Sequence, residues 1–336
     1  MCGRGRPARV LETRENSARN RARLTGLLTA TRRRFLQRCT AAAAGAWLGP
    51  AWAQARSAPD LKFPTQPRER IAIASYPFRE FIAGVDCKSA QPMELKDFAA
   101  HVVEKFQIYK IEPWTGHFPS TDPKYLEQFR AAVETARAAV VNVAVDGEHS
   151  PYALDRAERE RAVAFSKKWV ENAVAIGSRS IRTSLPPAKD SKPDLDRTAE
   201  SLMRVIEYAA EKNVVISLEN DNPVSEDPFF LATLVEKVNS PWLHTLPDFG
   251  NTLAARDPDY AYRGIDEMFR HACCISHVKS SEINRQGITV QVDMAKTFGI
   301  MRKSGYKGYC SMEWEAAGDP YKGTAELIRQ TVQYLS

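Results

Sequence analysis

The chain of 336 residues is short of several things that define whole classes of protein. It has six cysteines, two of them (Cys2 and Cys39) near the start, which leaves Cys87, Cys273, Cys274 and Cys310 for the rest. That is too few for a small disulfide-built scaffold. Cys273, Cys274 and Cys310 fall at or just before expected strands, where a free cysteine behaves as a small buried apolar residue. No apolar run reaches the roughly 20 residues that a membrane-spanning helix needs. There is no low-complexity tract and no short internal repeat. Residues 54–336 also lack a basic stripe. The formal charge of the whole chain is +6, but residues 1–53 hold 11 Arg, no Lys and 2 acidic residues, a net +9, which leaves −3 for the remainder. A mildly acidic body of this kind excludes nucleic acid as the obvious partner. A hydrophobic fraction of 43% is enough for a sizeable core.

The positive charge is concentrated in a stretch with a layout of its own. Residues 31–37 read Thr-Arg-Arg-Arg-Phe-Leu-Gln. An alanine-rich, weakly apolar run follows over Cys39–Leu48, then the small-x-small triplet Ala51-Trp52-Ala53. Arginines, apolar run and small-residue site in that order are the parts of an export signal, and the paired arginines resemble the twin-arginine type. Residues 1–55 are therefore expected to be a leader read by the twin-arginine translocation machinery. Residues 56–69, rich in Pro and Arg, are expected to be a linker and residues 70–336 a single domain, in a mature, periplasmic or secreted protein expected to begin near Gln54 or Arg56.

Within that domain short apolar runs alternate with stretches of helical periodicity. The runs are Ile71–Phe78, Ile108–Trp114, Val140–Val145, Ser180–Leu185, the stretch from Val214, Leu243–Asn251, Cys274–Ser280 and Tyr309–Glu315. Helices are expected between them: Met93–Phe106, Lys124–Ala138, Asp155–Ile176, Leu195–Asn213 (with Asp194 or Asp196 as N-cap), Pro228–Val238, Tyr260–His271, Asp293–Ser304 and Tyr321–Leu335. Eight buried parallel strands alternating with helices predict an α/β fold of the (β/α)8 barrel type.

The informative residues sit where these strands end. Val214–Asp221 runs Val-Val-Ile-Ser-Leu-Glu-Asn-Asp, a β-branched run closing on Glu219. Later strands close on Asp248, His277 and Glu313, at successive intervals of 29, 29 and 36 residues, about one strand–helix unit each. Side chains alternate along a strand, so Ser311, Glu313 and Glu315 share one face, as do Ile275, His277 and Lys279, and Arg182 with Ser184. The same register sends charged groups from several strands into one mouth at the carboxyl end of the barrel, where such folds keep their active sites. Unpaired buried carboxylates are costly. One divalent ion shared by Glu219, Asp248, His277 and Glu313, with Lys279 and Arg182 nearby, would offset that cost. Three carboxylates and one imidazole suit Mn²⁺, Mg²⁺, Co²⁺ or Zn²⁺.

The ordered set Glu219 (Ser-Leu-Glu-Asn), Asp248 (Asp-Phe-Gly-Asn), His277 (His-Val-Lys) and Glu313 (Met-Glu-Trp-Glu) resembles the xylose isomerase-like TIM-barrel superfamily. That group includes sugar phosphate isomerases and epimerases, and the resemblance covers roughly residues 70–335. It implies that Glu219, Asp248, His277 and Glu313 bind one divalent metal. It also implies that Glu219 and Glu313 exchange protons with opposite faces of an enediolate. Asn251 stands where many members carry a histidine that helps to hold substrate. Ser280 stands where Asp often follows the His-x-Lys motif. The DNA-repair members use many histidines, whereas here only His277 lies at a strand end of the ligand set.

Around this set, Lys279 is expected to polarise a substrate carbonyl or to pair with Glu313 or Glu315. Glu112, His149, Arg182 and Asn251 are expected to contact substrate; for Glu112 and His149 the alternative is helix capping, and for Arg182 neutralisation of the acidic mouth. Tyr76, Phe78, Trp114 and Trp314 are candidates for an apolar wall, with packing the better reading for Trp314. The expected activity is that of a metal-dependent isomerase or epimerase that removes a proton next to a carbonyl of a sugar or sugar derivative. The alternatives are a lyase acting on 3-keto-glycosides and a non-catalytic sugar-binding barrel.

Overall fold

A computed structural model describes residues 58–336. The expected leader, with its paired arginines and cleavage site, and the start of the linker lie outside the described residues. From residue 58 the chain runs without regular structure until it tucks Leu61 and Phe63 against the core. The Phe63 ring meets Tyr309 edge-on at 5.6 Å.

Strands β1 (Ile71–Ala74), β2 (Lys110–Glu112), β3 (Ala139–Val140), β4 (Val143–Val145), β5 (Ser180–Thr183), β6 (Val215–Glu219), β7 (Leu243–Leu246) and β8 (Ile275–Val278) follow in order. A hairpin, β9 (Ser281–Ile283) and β10 (Thr289–Gln291), precedes the last barrel strand, β11 (Tyr309–Met312). Parallel pairing runs β3-β2-β1-β11-β8 in one sheet and β4-β5-β6-β7 in the other. The two sheets are one barrel. β3 and β4 are halves of a single strand interrupted near Asn142, with Trp114 bridging to Ala144, and the other seam is closed by bridges Thr245 to Ala272 and Asp248 to His277. The expected eight-stranded parallel barrel is therefore present.

Register shows why each strand reads as it does. Ala72 pairs with Ser311, Ser311 with His277, Ala74 with Glu112, and Arg182 with Ser217. These partners share the inner face, where small and polar side chains leave room at the axis. The alternate residues, such as Ile73, Ile111, Ile181, Ile216 and Met312, belong to the apolar core. They bury their surface against helices α1 (Phe98–Phe106), α2 (Pro123–Thr135), α3 (Arg156–Ala175), α4 (Leu195–Glu211), α5 (Pro228–Val238), α6 (Asn251–Ala255), α7 (Pro258–Phe269), α8 (Met294–Lys303) and α9 (Pro320–Leu335).

Asp-Pro opens four of these helices, α2, α5, α7 and α9. Proline at the first position loses only an N–H that the helix cannot bond. In α5, α7 and α9 the aspartate also accepts from an orphan N–H of the first turn. Asp194, rather than Asp196, caps α4.

Differences from the sequence expectation lie at the ends. β1 stops at Ala74, because Tyr76–Phe78 forms a 3-10 turn around Pro77. The expected strand over Leu243–Asn251 splits into β7 and the short α6, which starts at Asn251. The hairpin β9–β10 was not expected. Its turn is built by Asn284, whose Oδ1 accepts from Gln286 and Ile288, and by Gly287 in the left-handed region at φ 75°. Among the described residues no helix is long and apolar enough to cross a membrane.

Candidate active site

The strand ends bring Glu219, Asp248, His277 and Glu313 together at the carboxyl mouth, all buried. Each offers one ligand-type atom, and the four atoms lie within 4.8 Å of one another. β6 carries Glu219 at its last residue. Asp248 follows β7, pinned by Asn220, whose Oδ1 accepts from the Asp248 N–H and whose amide donates to the Asp248 carbonyl. His277 lies within β8, and Glu313 directly follows β11.

The electrostatics of the cluster centre on two buried cations. His277 Nδ1 lies 2.7 Å from Glu219 Oε1 and 3.2 Å from Glu313 Oε2, and Nε2 lies 3.0 Å from Glu112 Oε1. Burial alone would depress the imidazole pKa, but Glu112, Glu219 and Glu313 raise it well above its ordinary value. Lys279 Nζ donates to Asn251 Oδ1 (2.9 Å), Glu282 Oε2 (2.9 Å) and Glu315 Oε1 (2.6 Å), and lies 3.3 Å from Glu313 Oε2 and 3.5 Å from Asp248 Oδ2. Burial opposes its charge, and the surrounding carboxylates, Asp248 first, more than restore it. For Glu313, burial would raise the pKa, yet His277 and Lys279 hold it well below the usual carboxylate range. Burial pushes Asp248 up to about 8, against the pull of Lys279. Asp221, beside Glu219, is pushed up to about 6 by burial and by that neighbour's charge.

This donor set fits a divalent ion. Asp248 Oδ1 accepts from the N–H groups of Gly250 (2.8 Å) and Asn251 (2.7 Å), which fixes the carboxylate, while Oδ2 is buried without a hydrogen-bond partner. Glu219 Oε2 is likewise buried without an aligned hydrogen bond, although Arg182 Nε stands 2.8 Å away as an ion pair. Three carboxylate oxygens and one imidazole nitrogen, two of the oxygens without an aligned hydrogen bond, match the ligand types of Mg²⁺, Mn²⁺, Co²⁺ or Zn²⁺. Nδ1 is the imidazole atom on the side of Glu219 and Glu313, and Nε2 is held from behind by Glu112.

Above the cluster opens a cavity of about 190 Å³. Of the four clustered residues, Glu219 and Glu313 line it, while Asp248 and His277 lie beneath, each fully buried. Tyr76 and Trp114 form one wall, their rings edge-to-face at 5.1 Å. Trp114 Nε1 donates to Asp146 Oδ2, and Asp146 Oδ1 accepts from Arg182 at 2.6 Å.

The other residues anticipated from sequence divide into two groups. Arg182, Asn251 and Lys279 line the cavity. Arg182 is paired with Asp146 and Glu219, which is the neutralising role. All three ammonium protons of Lys279 are taken by Asn251, Glu282 and Glu315, so it holds the wall together and has none left for a carbonyl. Glu112 and His149 are not in the cavity. Glu112 is fully buried under it, its Oε1 accepting from Asn142 and both oxygens facing His277 Nε2; this replaces the expected substrate contact by a hold on the imidazole. His149 turns away to Glu158, 3.2 Å from Oε1, and so braces the start of α3. Phe78 is buried in the core, and Trp314 lies over Gly323, where a Cβ would collide with its indole. The residues missed from sequence are Asp146, Asp221 and Glu282 on the cavity wall and Asn142 behind Glu112. Glu282 lies three residues past Lys279 on the unexpected hairpin, and only the Asn284–Gly287 turn pointed there.

Comparison with known proteins agrees with this geometry. Residues 100–335 match the family described as xylose isomerase-like TIM barrel, and the chain belongs to that family. Comparison with curated protein sequences returned no match. Similar solved structures include a xylose isomerase-like TIM barrel protein from Mycobacterium smegmatis in complex with magnesium (TM-score 0.61, 14% identity, 79% of this chain and 97% of that one). They also include the D-psicose 3-epimerase of Clostridium cellulolyticum H10 with D-tagatose (TM-score 0.58, 15% identity, 79% and 96%). A third is the 3-keto-D-glucoside 4-epimerase of E. coli in its apo form (TM-score 0.57, 15% identity, 78% and 98%). At these identities the likeness is one of fold.

Proposed function

We propose that the chain is a divalent-metal-dependent isomerase or epimerase of a sugar or sugar derivative, moving a proton at the carbon next to a carbonyl. The observation that carries this reading is the division within the cluster. Asp248 and His277 are fully buried and serve as holders, whereas Glu219 and Glu313 reach the cavity from β6 and from the end of β11. A divalent ion held by Glu219, Asp248, His277 and Glu313 would supply positive charge that makes the C–H next to a substrate carbonyl more acidic. In the proposed step one glutamate, ionised, takes the proton, leaving an enediolate, and the other, in its acid form, returns a proton from its own side, the pair being reset by exchange with solvent. Arg182, at 2.8 Å from Glu219 Oε2, and Lys279, at 3.3 Å from Glu313 Oε2, hold the two carboxylates in place. Tyr76 and Trp114 present rings to a sugar face. The epimerases among the structural neighbours support the reading.

The test is incubation of the metal-loaded protein in D₂O with a panel of ketoses and 3-keto-glycosides. Deuterium at the carbon next to the carbonyl is the expected result, and its absence across the panel would sink the proposal. The same reading extends to export by the twin-arginine route, motivated by Arg32 and Arg33. Changing both to Lys should strand the protein in the cytoplasm, and unaltered export of that variant would exclude the route.

A further inference from the structure

We infer that the substrate of this cavity carries no negative charge: it is a neutral, polyhydroxylated sugar, not a sugar phosphate or a uronate. The inference rests on reading the cavity as the place where a sugar is turned over. Its lining holds six carboxylates, Asp146, Glu219, Asp221, Glu282, Glu313 and Glu315, against two cations, Arg182 and Lys279. Both cations are already paired with carboxylates. Arg182 is engaged by Asp146 at 2.6 Å and Glu219 at 2.8 Å, and the three protons of Lys279 go to Asn251, Glu282 and Glu315. The next cation outward, Arg79, stacks on the Tyr76 ring at 4.3 Å and faces Asp86 at 4.0 Å. A divalent ion offsets only part of the excess.

Backbone geometry argues the same way. Barrels of this architecture often hold a phosphate at the loops after the seventh and eighth strands, on the N–H groups of a helix start. Here the loop after the seventh barrel strand, β8, forms the hairpin that carries Glu282, and the loop after the eighth, β11, carries Glu315. The helices that follow, α8 and α9, have their first-turn N–H groups capped by Asp293 and Asp319, at 2.9 Å from Lys296 N and Tyr321 N. At both of these loops and both helix starts a carboxylate stands where a phosphate would be held. A carboxylate at neutral pH only accepts hydrogen bonds, and sugar hydroxyls are donors that suit it, with the Tyr76–Trp114 wall alongside.

Matched pairs test this: D-tagatose with D-tagatose 6-phosphate, D-psicose with its 6-phosphate, and D-glucose with D-glucuronate. The full chain is loaded with Mg²⁺, freed of excess ion, and studied by titration calorimetry and by deuterium uptake from D₂O. The neutral member of each pair is expected to bind at least about tenfold more tightly. In Glu282→Gln/Glu315→Gln, which uncovers Lys279, that discrimination should shrink by about tenfold, mainly through tighter binding of the phosphate. Tighter binding or faster exchange of a charged member by the unaltered protein overturns the inference while leaving the isomerase reading in place. Preferential binding of neutral members without exchange supports the inference and sinks the isomerase reading. Binding of neither member of any pair overturns the inference, as does discrimination that stays unchanged in the double variant.

Discussion

Glu112 and His277 are 165 residues apart in the chain and meet at 3.0 Å, Oε1 against Nε2, both fully buried below the cavity. This contact decides which imidazole nitrogen is free to face the cluster of Glu219, Asp248 and Glu313. With Nε2 bonded to Glu112, Nδ1 is the atom turned toward Glu219 and Glu313, where the metal is proposed to sit. Such carboxylate–histidine–metal arrangements tune affinity from behind the ligand, and their loss typically costs about 10–100-fold. Glu112→Ala should therefore lower divalent-ion affinity by that factor in a competition titration, with unchanged circular dichroism. Wild-type affinity in the variant would assign Glu112 to packing alone.

Asp248→Ala and His277→Ala each remove a proposed ligand that does not face the cavity. Both variants should lose the ion outright while keeping their fold, because Asp248 and His277 lie in the same buried group. Elemental analysis of the purified variants settles the point. An equimolar ion retained in both would mean that the cluster is not the metal site.

Glu219→Gln and Glu313→Gln keep size and one oxygen but remove the carboxylates proposed to carry the proton. Turnover should fall by ~10²–10⁴-fold, with a much smaller loss of substrate affinity. One-sided deuterium exchange is expected to persist in one of the variants if the two carboxylates serve opposite faces of the substrate. Wild-type turnover in both, with metal bound, would refute the proton-transfer assignment.

His117, which is outside the proposed metal-ligand set, is expected to set a pH dependence of stability. It is 1% exposed, packs edge-on against Trp114 at 4.9 Å, meets Ser75 Oγ through Nδ1, and has no partner for Nε2 among the described residues. Burial, reinforced by the charge of Arg79, pushes its pKa down to about 4 from 6.5. Between those values the unfolded chain binds the proton and the native state does not, so stability is fully present above about pH 6.5 and falls as the pH drops toward 4. The loss amounts to about 3 kcal/mol over that window. Urea midpoints measured from pH 7 to pH 4 should show the slope, and His117→Gln should remove this part of it. An identical slope in the variant would place the acid sensitivity elsewhere.

Much of this architecture is written in local pattern. Short β-branched runs separated by amphipathic stretches call for a parallel sheet covered by helices, because each run must bury both faces and each helix one, and the eight units with ligand-type residues at their ends point to its closure into a barrel. Period-two alternation likewise puts Glu219, Glu313 and Lys279 on inward faces at strand ends, and the Asp-Pro pairs announce helix starts. Three-dimensional closure decided the rest. Glu112 ends a strand just as Glu219 does, yet β2 reaches the axis opposite His277, so it bonds an imidazole instead of facing the cavity. His149 lies only four residues after β4, but the turn that follows carries it to Glu158. Lys279 has the same reach as any lysine, and only the unforeseen hairpin with Glu282, together with Asn251 and Glu315, uses up its protons. Strand parity states which side of the sheet a residue leaves from. It does not contain the partner waiting there, because that partner comes from a strand or loop that sequence distance does not reveal.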